Sequence, residues 1–280
     1  MAPPACDGLV IGCGYLGRRV AKTWLAEGRT VAALTRNRAE ALAADGIAPV
    51  PGDVLDPASL QHLPRARTIL YAVGMDRSAG RSMREVYVDG LRNVLAAVSP
   101  DAKFIDVSST GVYGQTDGCE VNEDSATEPM EESGRVVLEA ERTLRELRPG
   151  AIILRFAGIY GPQRLLRRDA LVKGEPFVGD AEKWLNLIHV SDGVRAVHAA
   201  ENRGTPGRTY LIADGTPVTR RDYYSHLAEL LGAPLARFEQ SPLPRAEPNR
   251  RISIGRAQSE LGFVPEYPNY REGLAASMGE

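Results

Sequence analysis

Apolar runs of strand length alternate with stretches of helical periodicity through the first two thirds of the chain. The runs lie at residues 9–11, 30–34, 47–50, 68–73, 104–108, 152–155 and 210–213. They are near-continuous in apolar residues rather than alternating, which is the pattern of strands covered on both faces. Helical patterns fill 16–27, 83–98, 133–148 and 190–202. The first carries Val20, Trp24 and Leu25 on one face and meets Gly28 as its stop. This alternation predicts an α/β fold, a doubly wound parallel sheet with helices on both sides. In such a sheet ligands bind at the carboxyl ends of the strands. The last third changes character. Prolines gather at 234, 242, 244, 248, 265 and 268, and a single helix follows the capping-box-like Thr219-Arg220-Arg221-Asp222. Mostly irregular chain is expected after it.

The first strand runs into Val10-Ile11-Gly12-Cys13-Gly14-Tyr15-Leu16-Gly17. Gly12 permits the tight turn, Gly14 lets backbone approach a pyrophosphate, and Gly17 lets the helix pack close to the strand. The helix N-terminus, with Tyr15 and Leu16 in its first turn, offers N–H groups and a positive dipole end to phosphates. A dinucleotide site is expected there. The second strand ends in Leu34-Thr35-Arg36-Asn37-Arg38, where an NAD-selective site would place a carboxylate. Arg36 and Arg38 suit a 2′-phosphate by charge and fork geometry, so NADP(H) is preferred and NAD(H) is the alternative. The competing reading is of surface arginines that merely follow a strand. Asp53 and Val54 follow the third strand, where an adenine ring would lie, and Ala72, Val73 and Gly74 end the fourth, beside the ribose path. Residues 1–160 with 186–214 are therefore assigned to a dinucleotide-binding domain. Residues 161–185 with 215–280 are assigned to a small C-terminal substrate-binding lobe.

Bulk properties exclude several classes. The chain has 280 residues, 43% hydrophobic and 25% charged, with a net charge of -2, which gives no reason to expect nucleic acid or an anionic membrane as partner. No apolar run approaches the ~20 residues of a membrane span. The stretch 1–7 has no basic region and no long apolar segment, so no secretory signal is expected. Cys6, Cys13 and Cys119 are odd in number and not spaced as zinc ligands. Reduced thiols, a cytoplasmic location and no metal are the expectation.

Further segments carry a resemblance. They are Ser108-Ser109-Thr110-Gly111-Val112-Tyr113-Gly114, Leu154-Arg155-Phe156-Ala157-Gly158-Ile159-Tyr160-Gly161-Pro162 and Asn186-Leu187-Ile188-His189-Val190-Ser191-Asp192. Arg250-Arg251-Ile252-Ser253 and Leu261-Gly262-Phe263-Val264-Pro265 complete the set. With the glycine turn, these resemble the extended short-chain dehydrogenase/reductase superfamily. The likeness is greatest to its atypical branch of NAD(P)-dependent epimerase/dehydratase-like proteins, and it covers nearly the whole chain. It implies a Rossmann fold, with Ser108 at the cofactor, Ser109 orienting substrate and Thr110 beside it. In relatives the helices matching 83–98 and 133–148 often form a four-helix dimer interface, which leaves a homodimer open.

The superfamily's acid/base pair is missing. Its helix after the serine strand carries Tyr-x-x-x-Lys, in which the tyrosine moves the proton and the lysine lowers its pKa and holds the nicotinamide ribose. Matching Ser133-Gly134-Arg135-Val136-Val137 to that helix puts Ser133 at the tyrosine and Val137 at the lysine. No tyrosine occurs from 114 to 159 and no lysine from 104 to 172. A serine without an activating base is a poor proton donor near neutral pH. Tyr113, Glu132 and Ser133, with Ser109, are the candidate catalytic residues, and Arg135 could replace the lost charge. Most acids between 117 and 132 read as a solvated loop, and His189 and Asp192 as a structural strand-to-helix junction.

Arg164, Asn186 and Arg250 are candidate substrate contacts, because relatives use basic residues in this lobe to hold phosphorylated or nucleotide-sugar substrates. Solvated arginines are the equal alternative. The expectation is an NADP(H)-binding oxidoreductase or epimerase/dehydratase-like enzyme acting on a small polar, anionic molecule. The alternative, motivated by the missing pair, is a non-catalytic NADP(H)-binding redox sensor or partner-binding protein.

Overall fold

The computed structural model describes residues 4–76, 79–240 and 246–279. Prolines 242 and 244, and residues 1–3 of the amino-terminal stretch, lie outside the described residues. Every expected apolar run forms a strand. They are β1 (Cys6–Ile11), β2 (Val31–Thr35), β3 (Ala48–Pro51), β4 (Ala66–Tyr71), β5 (Lys103–Ser109), β6 (Ile152–Phe156) and β7 (Thr209–Ile212). They make one parallel sheet in the order β7-β6-β5-β4-β1-β2-β3. The order reverses after β1, as in a doubly wound fold. Pro49 and Pro51 fall on β3 at the sheet's edge, where a strand tolerates the loss of an N–H donor.

The described residues group into two compact units. The first holds residues 4–76, 79–112, 131–155 and 197–210, and the second 113–130, 156–196, 211–240 and 246–279. The second unit thus takes 113–130, 156–160, 186–196 and 211–214, which the sequence assigns to the dinucleotide domain.

In the first unit, Leu9, Ile11, Ile69, Leu91, Val94, Phe104 and Leu144 form one apolar cluster. Helix α1 (Tyr15–Ala26) lies close on β1 because Gly8 has no side chain: a Cβ there would come 2.5 Å from the Trp24 ring. Trp24 Nε1 donates to Glu201 Oε2 at 2.9 Å, so the buried indole keeps its hydrogen bond. The helix expected over 83–98 is broken into a π-helical segment, Glu85–Asp89, and α2 (Gly90–Ala97). Helix α3 (Glu132–Leu147) buries Val136, Val137, Leu138, Glu141 and Leu144.

The second unit packs around Tyr160, Phe177, Leu187, Tyr223, Tyr224, Leu227 and Leu274. Helix α4 (Val190–Arg203) begins there. The Thr219 signal is realised: its hydroxyl accepts from the Asp222 N–H at 3.1 Å and opens α5 (Arg220–Leu231). The expectation of mostly irregular chain beyond it is corrected by two further helices, α6 (Gly255–Leu261) and α7 (Tyr270–Met278). Asn269 caps α7 by accepting from the N–H groups of Arg271 and Glu272.

Candidate functional site

The three glycines of the β1–α1 turn have three different surroundings. Gly12 has φ +93°, and a Cβ there would lie 2.4 Å from the carbonyl carbon of Ala72. The turn is thus wedged against the end of β4, which brings Ala72 and Val73 to the glycines. At Gly17 a Cβ would meet the Gly12 carbonyl oxygen at 2.5 Å, so the helix can approach the strand only with glycine there. Beside Gly14, by contrast, nothing lies within 4 Å. Gly14 is also the N-cap of α1, and no side chain caps that end. Open space in front of an uncapped helix N-terminus fits a pyrophosphate.

The other cofactor candidates of the first unit surround this turn unevenly. Arg36 and Arg38 are exposed after β2, and Arg36 Nη2 donates to Asp76 Oδ2 at 2.7 Å. Asp53 is engaged with its own turn: its carboxylate accepts from the Leu55 N–H at 2.9 Å and its N–H donates to Ser59 Oγ at 3.0 Å. The Val54 carbonyl accepts from Asn93 Nδ2 at 2.9 Å, and its side chain occupies the room left by Gly90. Gly74 is exposed with open space beside it.

At the end of β5, Ser109 Oγ accepts from the Gly111 N–H at 3.0 Å and Thr110 is buried. Ser108 turns inward and donates to Glu141 Oε1 at 2.6 Å. Glu132 and Ser133 are exposed on the first turn of α3, and Val137 is buried one turn on.

Below Ser108 lies a charged network that sequence reasoning missed. Glu141 (1% exposed) accepts Arg155 Nε at 2.9 Å and Nη2 at 2.6 Å, and Arg145 Nη1 at 3.4 Å. Arg145 also donates to Thr209 Oγ1 at 2.9 Å. Asp106, 8% exposed, stands on β5 in register with Tyr71 on β4. Burial, with the Glu141 charge adding to it and Arg145 opposing, pushes Asp106 up to about 8. The Tyr71 hydroxyl beside it has no hydrogen-bond partner and is itself pushed up by burial. Two signals in the sequence could have exposed this network. One is a carboxylate in the middle of the apolar run 104–108. The other is Glu141, which falls on the apolar stripe of α3 with Val137 and Leu144.

This geometry predicts a pH dependence of stability. Folded Asp106 keeps its proton from the ordinary value of 3.8 up to about 8, a range in which the unfolded chain has released it. The folded state then binds more protons, so the contribution is full below the ordinary value and is lost as pH rises to the folded one. The slope is at most about 1.4 kcal/mol per pH unit. Urea midpoints of wild type and Asp106→Asn, compared at mildly acid and mildly alkaline pH, should show the smaller fall in the variant. Equal falls would contradict a protonated Asp106. Asp214, buried in the second unit and pushed up to about 7, acts in the same direction and leaves a residual slope in both proteins.

In the second unit, Tyr113 is fully buried. Arg164 is exposed just after Tyr160-Gly161-Pro162. Asn186 is occupied by backbone: Nδ2 donates to the Arg250 carbonyl at 2.8 Å and Oδ1 accepts from the Ile252 N–H at 2.7 Å. It thereby fixes the segment that carries half-buried Arg250. Asp192 accepts from the N–H groups of Glu266 at 2.6 Å and Tyr267 at 3.0 Å, and the His189 ring packs 4.3 Å from that of Tyr267. Among the described residues no cluster of three or more His, Cys, Asp or Glu could hold a metal, and no helix is long and apolar enough to cross a membrane.

Comparison with known proteins agrees with this fold. The chain is 31% identical over 271 residues to protein YeeZ of Escherichia coli (strain K12), covering 93% of this chain and 96% of that one. It is 29% identical over 209 residues to a dTDP-glucose 4,6-dehydratase of Streptomyces griseus, covering 68% and 62%. Among solved structures it superimposes with a TM-score of 0.78 on a functionally unknown conserved protein from Silicibacter pomeroyi DSS, at 28% identity and covering 98% of both chains. DesIV, a dTDP-glucose 4,6-dehydratase from Streptomyces venezuelae solved with NAD bound, gives a TM-score of 0.85 at 24% identity, covering 98% and 96%, and speaks for the fold alone. The model of the NAD dependent epimerase/dehydratase family matches residues 9–213. On that match and on the glycine turn the structure builds, this chain belongs to the NAD-dependent epimerase/dehydratase family.

Proposed function

We propose that this protein is an NADP(H)-preferring oxidoreductase or epimerase/dehydratase-like enzyme that acts on a small polar, anionic substrate through a non-standard proton donor. The observation that carries the reading is the glycine turn: two glycines wedged by backbone and a third facing open space at an uncapped helix end. When bound, the nicotinamide supplies or accepts a hydride. This chain's residues hold the phosphates at the turn, and Ser109 orients a substrate oxygen.

The preference for a 2′-phosphate rests on Arg36 and Arg38. The Arg36–Asp76 pair is exposed on both sides (47% and 42%), and such pairs contribute only about 0–1 kcal/mol. A phosphate dianion forms stronger charge-assisted hydrogen bonds and can draw Arg36 away from Asp76. The anionic substrate is supported by Arg164 and Arg250 in the second unit and by the relative that bears the name of a dTDP-glucose dehydratase.

Fluorescence titration with NADPH and NADH in parallel tests the cofactor. Arg36→Ala should weaken NADPH by about tenfold or more, the worth of one charged hydrogen bond, and leave NADH unchanged. Equal affinity of wild type for both would remove the NADP(H) preference. Tight binding with no hydride exchange on any sugar nucleotide offered would turn the reading to a sensor.

A further inference from the structure

The chain lacks the tyrosine of the helix α3 position, yet a different tyrosine of the first unit is placed to do its work. Tyr71 and Tyr210 are sealed in the core at 3% and 0% exposure. Tyr15 lies in the glycine turn with the Arg19 guanidinium 4.1 Å from its ring centre. Tyr87 is half-buried, and the Met75 backbone N–H faces its hydroxyl. Met75 directly follows Gly74, so this phenol sits at the carboxyl end of β4, where an α/β sheet binds its ligand.

Two cross-helix contacts fix this placement. Arg84 Nη2 meets Glu139 Oε1 at 2.8 Å, and Arg92 Nη2 meets Thr143 Oγ1 at 3.2 Å. Tyr87 lies between these two ties along the chain, in a segment that packs against α3. It also stands in the middle of the π-helical segment Glu85–Asp89. Such insertions interrupt a helix at some cost and recur at functional sites, because they re-aim one side chain.

We propose that Tyr87 replaces the missing helix tyrosine as proton donor beside the nicotinamide, its oxygen held by the Met75 N–H. This deepens the reading of the protein as a dinucleotide-dependent enzyme and rests on it. In the reducing direction the substrate C=O double bond becomes single. The hydride from the reduced dinucleotide, with its electron pair, makes the C–H bond. Tyr87 gives its proton to the oxygen to make the O–H bond, and the phenolate recovers a proton from solvent on its exposed side. The dinucleotide is oxidised and the carbonyl reduced by the same two electrons.

The Met75 N–H serves a phenol without a lysine, because it holds the Tyr87 oxygen and favours the transient phenolate. Burial pushes Tyr87 up against the opposing Met75 bond, so it holds its proton at neutral pH, and the Asp106 charge adds to this only in alkaline solution, above about 8. Asp106 stands in register with Tyr71 on β4, and the charges of Glu141 and Arg145 on α3 act on it in opposite senses. While Asp106 is itself protonated, no second negative charge opposes the transient phenolate.

The test is an ultraviolet titration of tyrosinate, which needs no substrate. The difference between wild type and Tyr87→Phe isolates one ionisation. That ionisation should lie above the ordinary phenol value, and Asp106→Asn should lower it. It should also fall when NADP⁺ is bound relative to NADPH, because the positive nicotinamide favours an adjacent phenolate. Should Tyr87→Phe fail to fold, Asp106→Asn introduced into Tyr71→Phe reads the same group, because Tyr71 is the other tyrosine that feels the Asp106 charge and its hydroxyl makes no hydrogen bond. An ionisation that ignores both Asp106→Asn and the cofactor's oxidation state overturns the proposal and leaves the cofactor reading standing. Failure to bind either dinucleotide removes that reading, and this one with it.

Discussion

Glu141→Ala should be the most destabilising single side-chain removal in the first unit, costing about 3–5 kcal/mol. Glu141 takes both a bidentate Arg155 and the Ser108 hydroxyl while only 1% exposed, and the Arg155 side chain is 4% exposed. Alanine leaves the guanidinium buried without its carboxylate and strips Ser108 of its acceptor. The whole folded state is worth only about 5–15 kcal/mol, so this variant stands at the edge of folding. The cost comes from the stranded charge more than from the worth of the pair. The double change Glu141→Leu with Arg155→Met should therefore recover a substantial part of it. Urea midpoints of the parent, the single and the double variants measure this. A single variant that loses less than about 1 kcal/mol would show that water or a neighbour satisfies Arg155 and that the network is not what holds α3 to β6.

The sheet was legible because its signal is local. Each strand is a short apolar run bounded by polar or turn residues, and the run 104–108 stands out even with Asp106 inside it. The glycine turn was legible for the same reason, since three residues within six positions determine a turn, a contact and an opening. What escaped was tertiary or stereochemical. Glu141 and Arg155 are each visible in the sequence, but only folding brings α3 over β6 and makes them partners. The π segment at Glu85–Asp89 preserves the apolar periodicity well enough that 83–98 reads as one helix, so the re-aimed Tyr87 carries no mark. The helices Gly255–Leu261 and Tyr270–Met278 were hidden by surrounding prolines, although Asn269 three residues before Glu272 was a readable start signal. Asn186 reads as a substrate contact through the segment in which it resembles relatives. Its amide is instead spent on two backbone groups of the carboxy-terminal segment.

Alanine at Gly12 and at Gly14 should both abolish dinucleotide binding, for reasons that a stability measurement separates. At Gly12 the new Cβ lies 2.4 Å from Ala72 and 2.5 Å from the Val73 nitrogen, all backbone atoms, and φ of +93° is strained for any L side chain. Neither side can yield, because β1 and β4 are locked in register just before the turn, Ile11 opposite Tyr71. Gly12→Ala should therefore lower the urea midpoint as well as lose NADPH. Gly14 differs: its φ of -93° is negative, and nothing lies within 4 Å of the added methyl. Gly14→Ala should keep the parent's stability to within about 1 kcal/mol, yet weaken NADPH by at least about a hundredfold, because the methyl fills the space through which phosphate reaches the α1 N–H groups. Stability retained and binding lost would mean that the opening beside Gly14 exists for a ligand rather than for the fold. A Gly14→Ala protein that binds NADPH like the parent would place the phosphates elsewhere, and the glycine turn would then be an element of packing alone.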